Sequence, residues 1–377
     1  MATPPMDPAK VAEARELVAR FGTVSAASRA SGIPYSTLEK RYKRDPAIQA
    51  SMSAVKTELV PALAWLKTKP DDEGNAYSVL LKPAQETEPL ADRIREALEG
   101  MTPAPLVSGP ETTLDGLCTV YPLMDMHLGL MAWGKETGDV DYDLDLAASD
   151  TRQALGKVMA ITPASDTAIL VLGGDTLHAN DNLAETPKSK HKLDMDGRHF
   201  KVLDVAIGII ADMICQLARK HRRLIVRVLR GNHDPESHLV LTFALAERYR
   251  DNPSIEIEKN PRDLFMFQWG RSAIFVHHGD KGKPQQMALY LSDVCPFWSE
   301  TKHRHYLTGH VHHDQAKDLG PLRWESLRAF CPPDAYAASM GFGGRRAMQS
   351  MTFDKQDGLV LRAFDPVERE PVSFTRG

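Results

Sequence analysis

Five short apolar runs in the middle of this chain each stop on a cluster of turn-forming and metal-competent residues. The runs are Thr119–Met124, Ala168–Leu172, Leu224–Leu229, Ser272–Val276 and His305–Thr308. The clusters that follow them are Asp125-Met-His127, Gly174-Asp175, Gly231-Asn-His-Asp234, His277-His-Gly279 and Gly309-His-Val-His312. Runs of this length and composition read as strands. Between them, Lys201–Ala218 places Val202, Val205, Ala206, Ile209, Ile210, Met213 and Leu217 on one side of a helix. Strands alternating with helices imply an α/β or layered α+β fold, with function at the strand ends. All 14 histidines fall between His127 and His313, about half of a 377-residue chain, so the middle is chemically unlike the ends.

A single histidine at a strand end is usually a hydrogen-bonded structural residue; five such clusters in order form a constellation. Alternate positions on an extended segment point the same way, so Asp125/His127 and His310/His312 can each aim two side chains at one pocket. Carboxylate, imidazole and amide oxygen together suit Mn, Fe, Zn or Ni.

This series resembles the calcineurin-like metallophosphoesterases, from residue 117 to about 320. The resemblance implies a β-sandwich core flanked by helices and two divalent metal ions, Mn2+ foremost, with Fe, Zn, Ni or Mg as alternatives. It implies Asp125, His127 and His312 on the first metal, Asn232, His278 and His310 on the second, and Asp175 bridging both. Two metals about 3.5–4 Å apart can clamp a phosphoryl group and activate a water in line with the leaving oxygen. His233 would then assist the leaving oxygen, with Asp234 orienting its imidazole. Either His277 or His278 can fill the fifth position; the small residue that usually follows the ligand favours His278. Glycines 174, 231, 279 and 309 would let the backbone turn beside the ligands.

After Asp175 the chain runs through a long polar insertion to Arg198. It is similar to a segment of phage and prophage-encoded phosphoesterases, and the wider family includes the SbcCD-type DNA-repair nucleases. Lys188, Lys190, Lys192 and Arg198 are candidates to track nucleic-acid phosphates, although a solvated loop would carry such charges equally well. Asp139-Val-Asp141-Tyr-Asp143-Leu-Asp145 mimics a calcium loop but lacks its glycine, and reads as a turn and helix start.

Residues 1–56 carry a net charge of +4 and residues 57–100 one of −4, which marks separate modules. Three short helices are expected: Pro8–Arg20 behind an Asp7 cap, a second from a Thr23 cap to Ser31, and Ser36–Arg44 after a turn at Gly32. Ser28, Gly32 and Leu38 have helix-turn-helix spacing. Gly32-Ile-Pro-Tyr-Ser-Thr-Leu38 resembles the corresponding stretch of repressor and resolvase-type DNA-binding domains. Tyr35, Ser36, Thr37, Lys40 and Arg41 are the residues that would reach DNA; a small protein-binding helical bundle is the alternative.

The expected organisation is a helical module (1–56), an acidic, Pro-rich connector (57–116), a catalytic core (117–320) and an extension completing or capping it (321–377). A linker runs through Met101–Pro110 and a boundary falls near residue 112. No run of about 18 apolar residues exists to cross a membrane. The absence of signal-peptide regions, with four widely spaced cysteines, points to a reducing cytoplasm. The function expected is a dinuclear-metal phosphodiesterase, specifically a DNA nuclease; the alternative is a phosphodiesterase or phosphatase of small cyclic or modified nucleotides. Nucleic acid, DNA foremost, is the expected partner; a homodimer is an option that no coiled-coil heptad in the sequence supports.

Overall fold

The computed structural model describes residues 7–45 and 102–368, and the backbone of two strands at 64–67 and 78–81. The chain divides into two compact units, Met1–Pro89 and Leu90–Gly377. In the first, α1 (Pro8–Phe21), α2 (Val24–Ser31) and α3 (Tyr35–Tyr42) enclose a small core of Ala14, Val18, Ala27 and Leu38. Asp7 and Thr23 accept hydrogen bonds from the Ala9 and Ala26 amides, so both expected caps form. Gly32 takes the left-handed φ of +72° that ends α2. Ser28 does more than leave room for a crossing: its hydroxyl donates to the Ile33 carbonyl at 2.7 Å and fastens the turn. Tyr35, Ser36 and Lys40 are exposed on α3, while Arg41 is paired with Glu13 at 3.4 Å. Strands β1 (Ala64–Lys67) and β2 (Ser78–Leu81) pair antiparallel within what reads as connector. Within the expected connector, Pro89–Leu98 reads in sequence as an amphipathic stretch and lies outside the described residues.

The second unit holds two sheets. The six-stranded sheet has the order β13-β12-β3-β4-β5-β6, from β3 (Leu114–Leu123), β4 (Ser165–Leu172), β5 (Arg223–Val228), β6 (Ile255–Ile257), β12 (Met348–Asp354) and β13 (Gly358–Asp365). Strands β3 to β6 run parallel, and β12 joins β3 antiparallel. The five-stranded sheet has the order β10-β11-β9-β8-β7, from β7 (Leu264–Trp269), β8 (Ser272–His277), β9 (His303–Thr308), β10 (Gln315–Leu319) and β11 (Leu322–Ser326).

Alternation along the strands builds two cores at once. Cys118, Val120, Ile169, Val171 and Ile225 face Phe265, Ile274, Val276 and Leu307 of the other sheet, joined by Met351 and Phe353. The intervening Tyr121, Leu123, Leu170, Leu172, Val226 and Val228 pack under α5 (Leu144–Ile161), α6 (His199–Lys220) and α7 (Ser237–Arg248). Because both faces are covered, the strands are continuous apolar runs. On the far side, Phe275 and Tyr306 pack against Leu291 of α8 (Pro284–Val294) and Trp298. The architecture is a layered α/β sandwich. Among the described residues no helix is long and apolar enough to cross a membrane.

Two boundaries fall elsewhere than the sequence suggests. Ala104 and Val107, in the supposed linker, pack against the helical layer, and the Ala104 amide donates to the Arg248 carbonyl at 2.7 Å. The division at 320/321 falls in the turn between β10 and β11, whose pairing makes that segment one hairpin of the core.

The polar insertion is also part of the fold. Leu177 and Ala179 are fully buried, and Leu128 and Leu130 bridge to Leu177 and Met195. Its side chains cap three helices: Asp196 accepts from Leu144 of α5, Asn182 from His199 of α6 and Asn180 from Ser237 of α7. The calcium-like acids are used similarly, Asp143 capping α5 and Asp141 accepting from the Gly134 amide that opens α4 (Gly134–Thr137).

Candidate metal centre

The strands β3, β4 and β5 of one sheet and β8 and β9 of the other deliver their trailing residues to one place. Asp125 and His127, Asp175, Asn232 and His233, His278, and His310 and His312 all meet there. The pairs Asp125/His127 and His310/His312 do not converge by strand alternation. β3 ends at Leu123 and β9 at Thr308, and these ligand-type residues lie beyond them with φ of +51°, +45°, +69° and +56°; Asp175 has +48°. Non-glycine residues held in the left-handed region cost on the order of 1–3 kcal/mol each and persist where surrounding bonds over-determine them. Those bonds cross between loops. The His310 amide donates to Asp125 Oδ2 at 2.9 Å, the His233 amide to Asp175 Oδ1 at 2.8 Å and the His127 amide to the Asp175 carbonyl at 2.9 Å.

The glycines divide by role. Gly174 and Gly279 have the positive φ expected of a sharp turn. Gly231 and Gly309 do not; there the need is space, since a Cβ would intrude on the carboxylates of Asp175 and Asp125 respectively.

Asp175 lies between two groups of donors, one with Asp125 and His127 and one with His278 and His310. Its Oδ2 is 3.1 Å from His278 Nε2 and 3.9 Å from His127 Nε2. Asp125 Oδ1 is 3.5 Å from His312 Nε2, and Asn232 Oδ1 is 3.0 Å from His278 Nε2. Carbonyl contacts set the tautomers, because a carbonyl only accepts. His278 Nδ1 donates to the Gly173 carbonyl (3.2 Å), which turns Nε2 toward the carboxylate. His233 Nδ1 donates to the His178 carbonyl (2.8 Å), which leaves Nε2 without a proton in the neutral ring. Asp125 Oδ1 and His127 Nε2 are buried without a hydrogen-bond partner. Orphaned donors of this kind, in a set of carboxylates and imidazoles, fit divalent cations.

Burial opposes charge on His278, but Asp175 and then Asp125 outweigh it and push its pKa up to about 10. Asp175 is held far below the ordinary carboxylate range: burial would raise it, and the His278 ring overrides that. Burial and then the His233 ring press His127 well down. His312 is raised, Asp125 outweighing burial, and His310 is lowered by burial and by His278.

His277, the alternative to His278, is buried away from the cluster and accepts from the Gly279 amide at 2.9 Å. Asp234 does not orient His233. Its carboxylate accepts the Gly231 amide at 2.8 Å and the Leu177 amide at 3.1 Å, so it clamps two loops, and the His178 carbonyl holds the imidazole instead. Burial and then Asp175 raise the Asp234 pKa to about 6. Lys188, Lys190 and Arg198 are exposed on the insertion, and Lys192 pairs with Glu185 at 2.7 Å.

Two neighbours of the cluster went unassigned as functional residues in sequence. His178 is buried, with Nδ1 3.0 Å from His127 Nδ1 and its ring stacked on His233; its only sequence signal is its place three residues after Asp175. Cys331, from the loop after β11, carries none.

No protein-family model matches this chain, and no curated protein matches it. Solved structures do. A conserved protein of Streptococcus pneumoniae described as a predicted phosphoesterase is 14% identical, over 64% of this chain and 86% of its own, at a TM-score of 0.28. Vps29 of Entamoeba histolytica, complexed with zinc, is 11% identical over 66% and 99%, at 0.30. A phosphoesterase from E. coli is 12% identical over 66% and 100%, at 0.30. Likenesses this distant carry no argument about the chemistry of this chain.

Gly231→Ala should displace the Asp175 carboxylate: bound metal measured by elemental analysis falls, while the circular dichroism spectrum is retained. Metal binding should also depend on pH. Asp175 and then Asp125 favour the charged His278 ring against burial, so a metal ion must displace the Nε2 proton to use that nitrogen. Apparent affinity in calorimetric titrations therefore rises with pH, by about tenfold per unit for one proton released. A pH-independent affinity would show that metal binding displaces no proton from His278.

Proposed function

We propose that this chain is a dinuclear-metal phosphodiesterase that hydrolyses nucleic acid. The observation that carries the hydrolytic reading is the convergence of Asp125, His127, Asp175, Asn232, His278, His310 and His312, with buried donor atoms left unpartnered at its centre. Asp125, His127 and His312 would hold one ion and Asn232, His278 and His310 the other, with Asp175 shared. When bound, two divalent ions supply positive charge to the phosphoryl oxygens and acidify the attacking water. His233 offers Nε2 to the departing oxygen, because its Nδ1 is tied to the His178 carbonyl, and in the protonated ring that nitrogen donates. Asp234 fixes the loop that carries His233 rather than the ring itself.

Nucleic acid as substrate is supported by the exposed Lys188, Lys190 and Arg198 of the insertion and by exposed rings close by. Tyr336, on α9 (Ala335–Ser339), stacks on His191 of the insertion, with Phe342 exposed after it. Basic and aromatic side chains interleaved in this way suit a strand of phosphates and bases. The helical module, with Tyr35, Ser36, Thr37, Lys40 and Arg41 on or beside the outer face of α3, is read as a DNA-binding element that adds affinity rather than chemistry.

The purified protein with Mn2+ should cleave single- or double-stranded DNA in a panel with RNA, cyclic nucleotides and aryl phosphodiesters, and EDTA should stop it. Intact DNA beside a cleaved aryl phosphodiester would establish the small-molecule reading instead. Asp175→Ala should lose both metal and turnover, whereas His233→Ala should keep its metal and lose about 10²–10⁴-fold in kcat. In a separate binding assay, Lys40→Ala should weaken DNA affinity and reduce the slope of log K against log salt by about 1; an unchanged slope would take Lys40 away from the phosphate backbone.

A further inference from the structure

We propose that Cys331 is a thiolate ligand of the metal held by Asp125, His127 and His312, which makes that site selective for a softer ion than Mn2+. The inference rests on the metal-centre reading above and adds a residue to it.

Cys331 comes from the loop that follows β11, and that loop is fastened to the centre by its backbone. The Phe330 amide donates to the Met124 carbonyl at 3.0 Å and the Cys331 amide to the Asp125 carbonyl at 3.1 Å. The Cys331 backbone is therefore held directly against that of Asp125. Its sulfur and one ring nitrogen each from His127 and His312 all lie within 4.8 Å of one another. His127 Nε2 is buried with no hydrogen-bond partner, in a residue only 4% exposed. At tetrahedral angles, a metal–sulfur bond near 2.3 Å and a metal–nitrogen bond near 2.1 Å set sulfur and nitrogen about 3.6 Å apart. Rotamer adjustments of up to about 1 Å therefore close this triad on one ion.

The other cysteines have no such surroundings. Cys118 lies between the sheets, Cys295 packs in the outer core against α8, and Cys215 lies on α6.

Coordination replaces the S–H bond by an S–metal bond, and the thiol proton leaves to solvent. Thiolate is a soft donor that favours Zn2+, Co2+ or Fe2+, whereas carboxylate and carbonyl oxygens suit Mn2+ and Mg2+. The paired sites would then differ. The site of Asn232, His278 and His310 has no sulfur, and the site of Asp125, His127 and His312 has one.

Cobalt(II) titration of the full-length protein, followed by absorption spectroscopy and elemental analysis, tests this without any assay of activity. The expected result is two cobalt ions per chain and an intense thiolate-to-cobalt charge-transfer band in the near ultraviolet. Cys331→Ala and the near-isosteric Cys331→Ser lose that band, while Cys215→Ala keeps it. In competition titrations the Zn2+-over-Mn2+ preference of the wild type should fall at least tenfold in the Cys331 variants. Two bound cobalt ions with no charge-transfer band, or a band that survives in both Cys331 variants, would overturn the proposal and leave the metal-centre reading standing. Failure of the wild type to bind cobalt at all would overturn both.

Discussion

The Asp175 carboxylate ties the two sheets together at their functional edge. One oxygen accepts the His233 amide from the loop after β5, in the six-stranded sheet. The other lies 3.1 Å from His278, at the end of β8 in the five-stranded sheet. A carboxylate that is only 2% exposed would be costly without such partners. With them, the charge becomes the reference around which the loops are set. Asp125 repeats the device from β3 to His310, after β9. Left-handed backbone at five ligand-type residues and a side-chain-free approach at Gly231 follow from drawing these loops so close.

Supports lie one layer out. The His178 carbonyl and the Gly173 carbonyl orient His233 and His278, and Asp234 joins the segments that follow β4 and β5. The insertion caps α5, α6 and α7, so the helical layer and the rim of the centre are one structure. A charged insertion after the second cluster is thus a fastening with an exposed basic surface, in which Lys192 pairs with Glu185 and Lys190 also acts on that carboxylate.

Much of this was legible in the chain. The buried strands announced themselves because both faces are covered, which removes polar residues from the run. Helices α1 and α2 were readable from Asp7, Thr23 and Gly32, whose capping roles are local. Less legible were features made by distant partners. Ala104 and Val107 resemble a linker in composition because only contact with the helical layer shows that they are packed. Asp234 beside His233 suggests an acid orienting its neighbour, yet its bonds run to Gly231 and Leu177. Cys331 lies in a Pro-rich stretch with nothing to mark it.

The sequence by itself determined which chemistries are available and roughly where, since strand period, caps and ligand-competent residue types are written locally. Only the tertiary structure decided which atoms meet. It turned His278 inward and His277 away, gave Asp175 to both halves of the centre, and brought Cys331 and His178 to its edge. The reason is physical: these contacts span up to 206 residues, as between Cys331 and Asp125, and arise from strand pairing and sheet packing that no local pattern encodes.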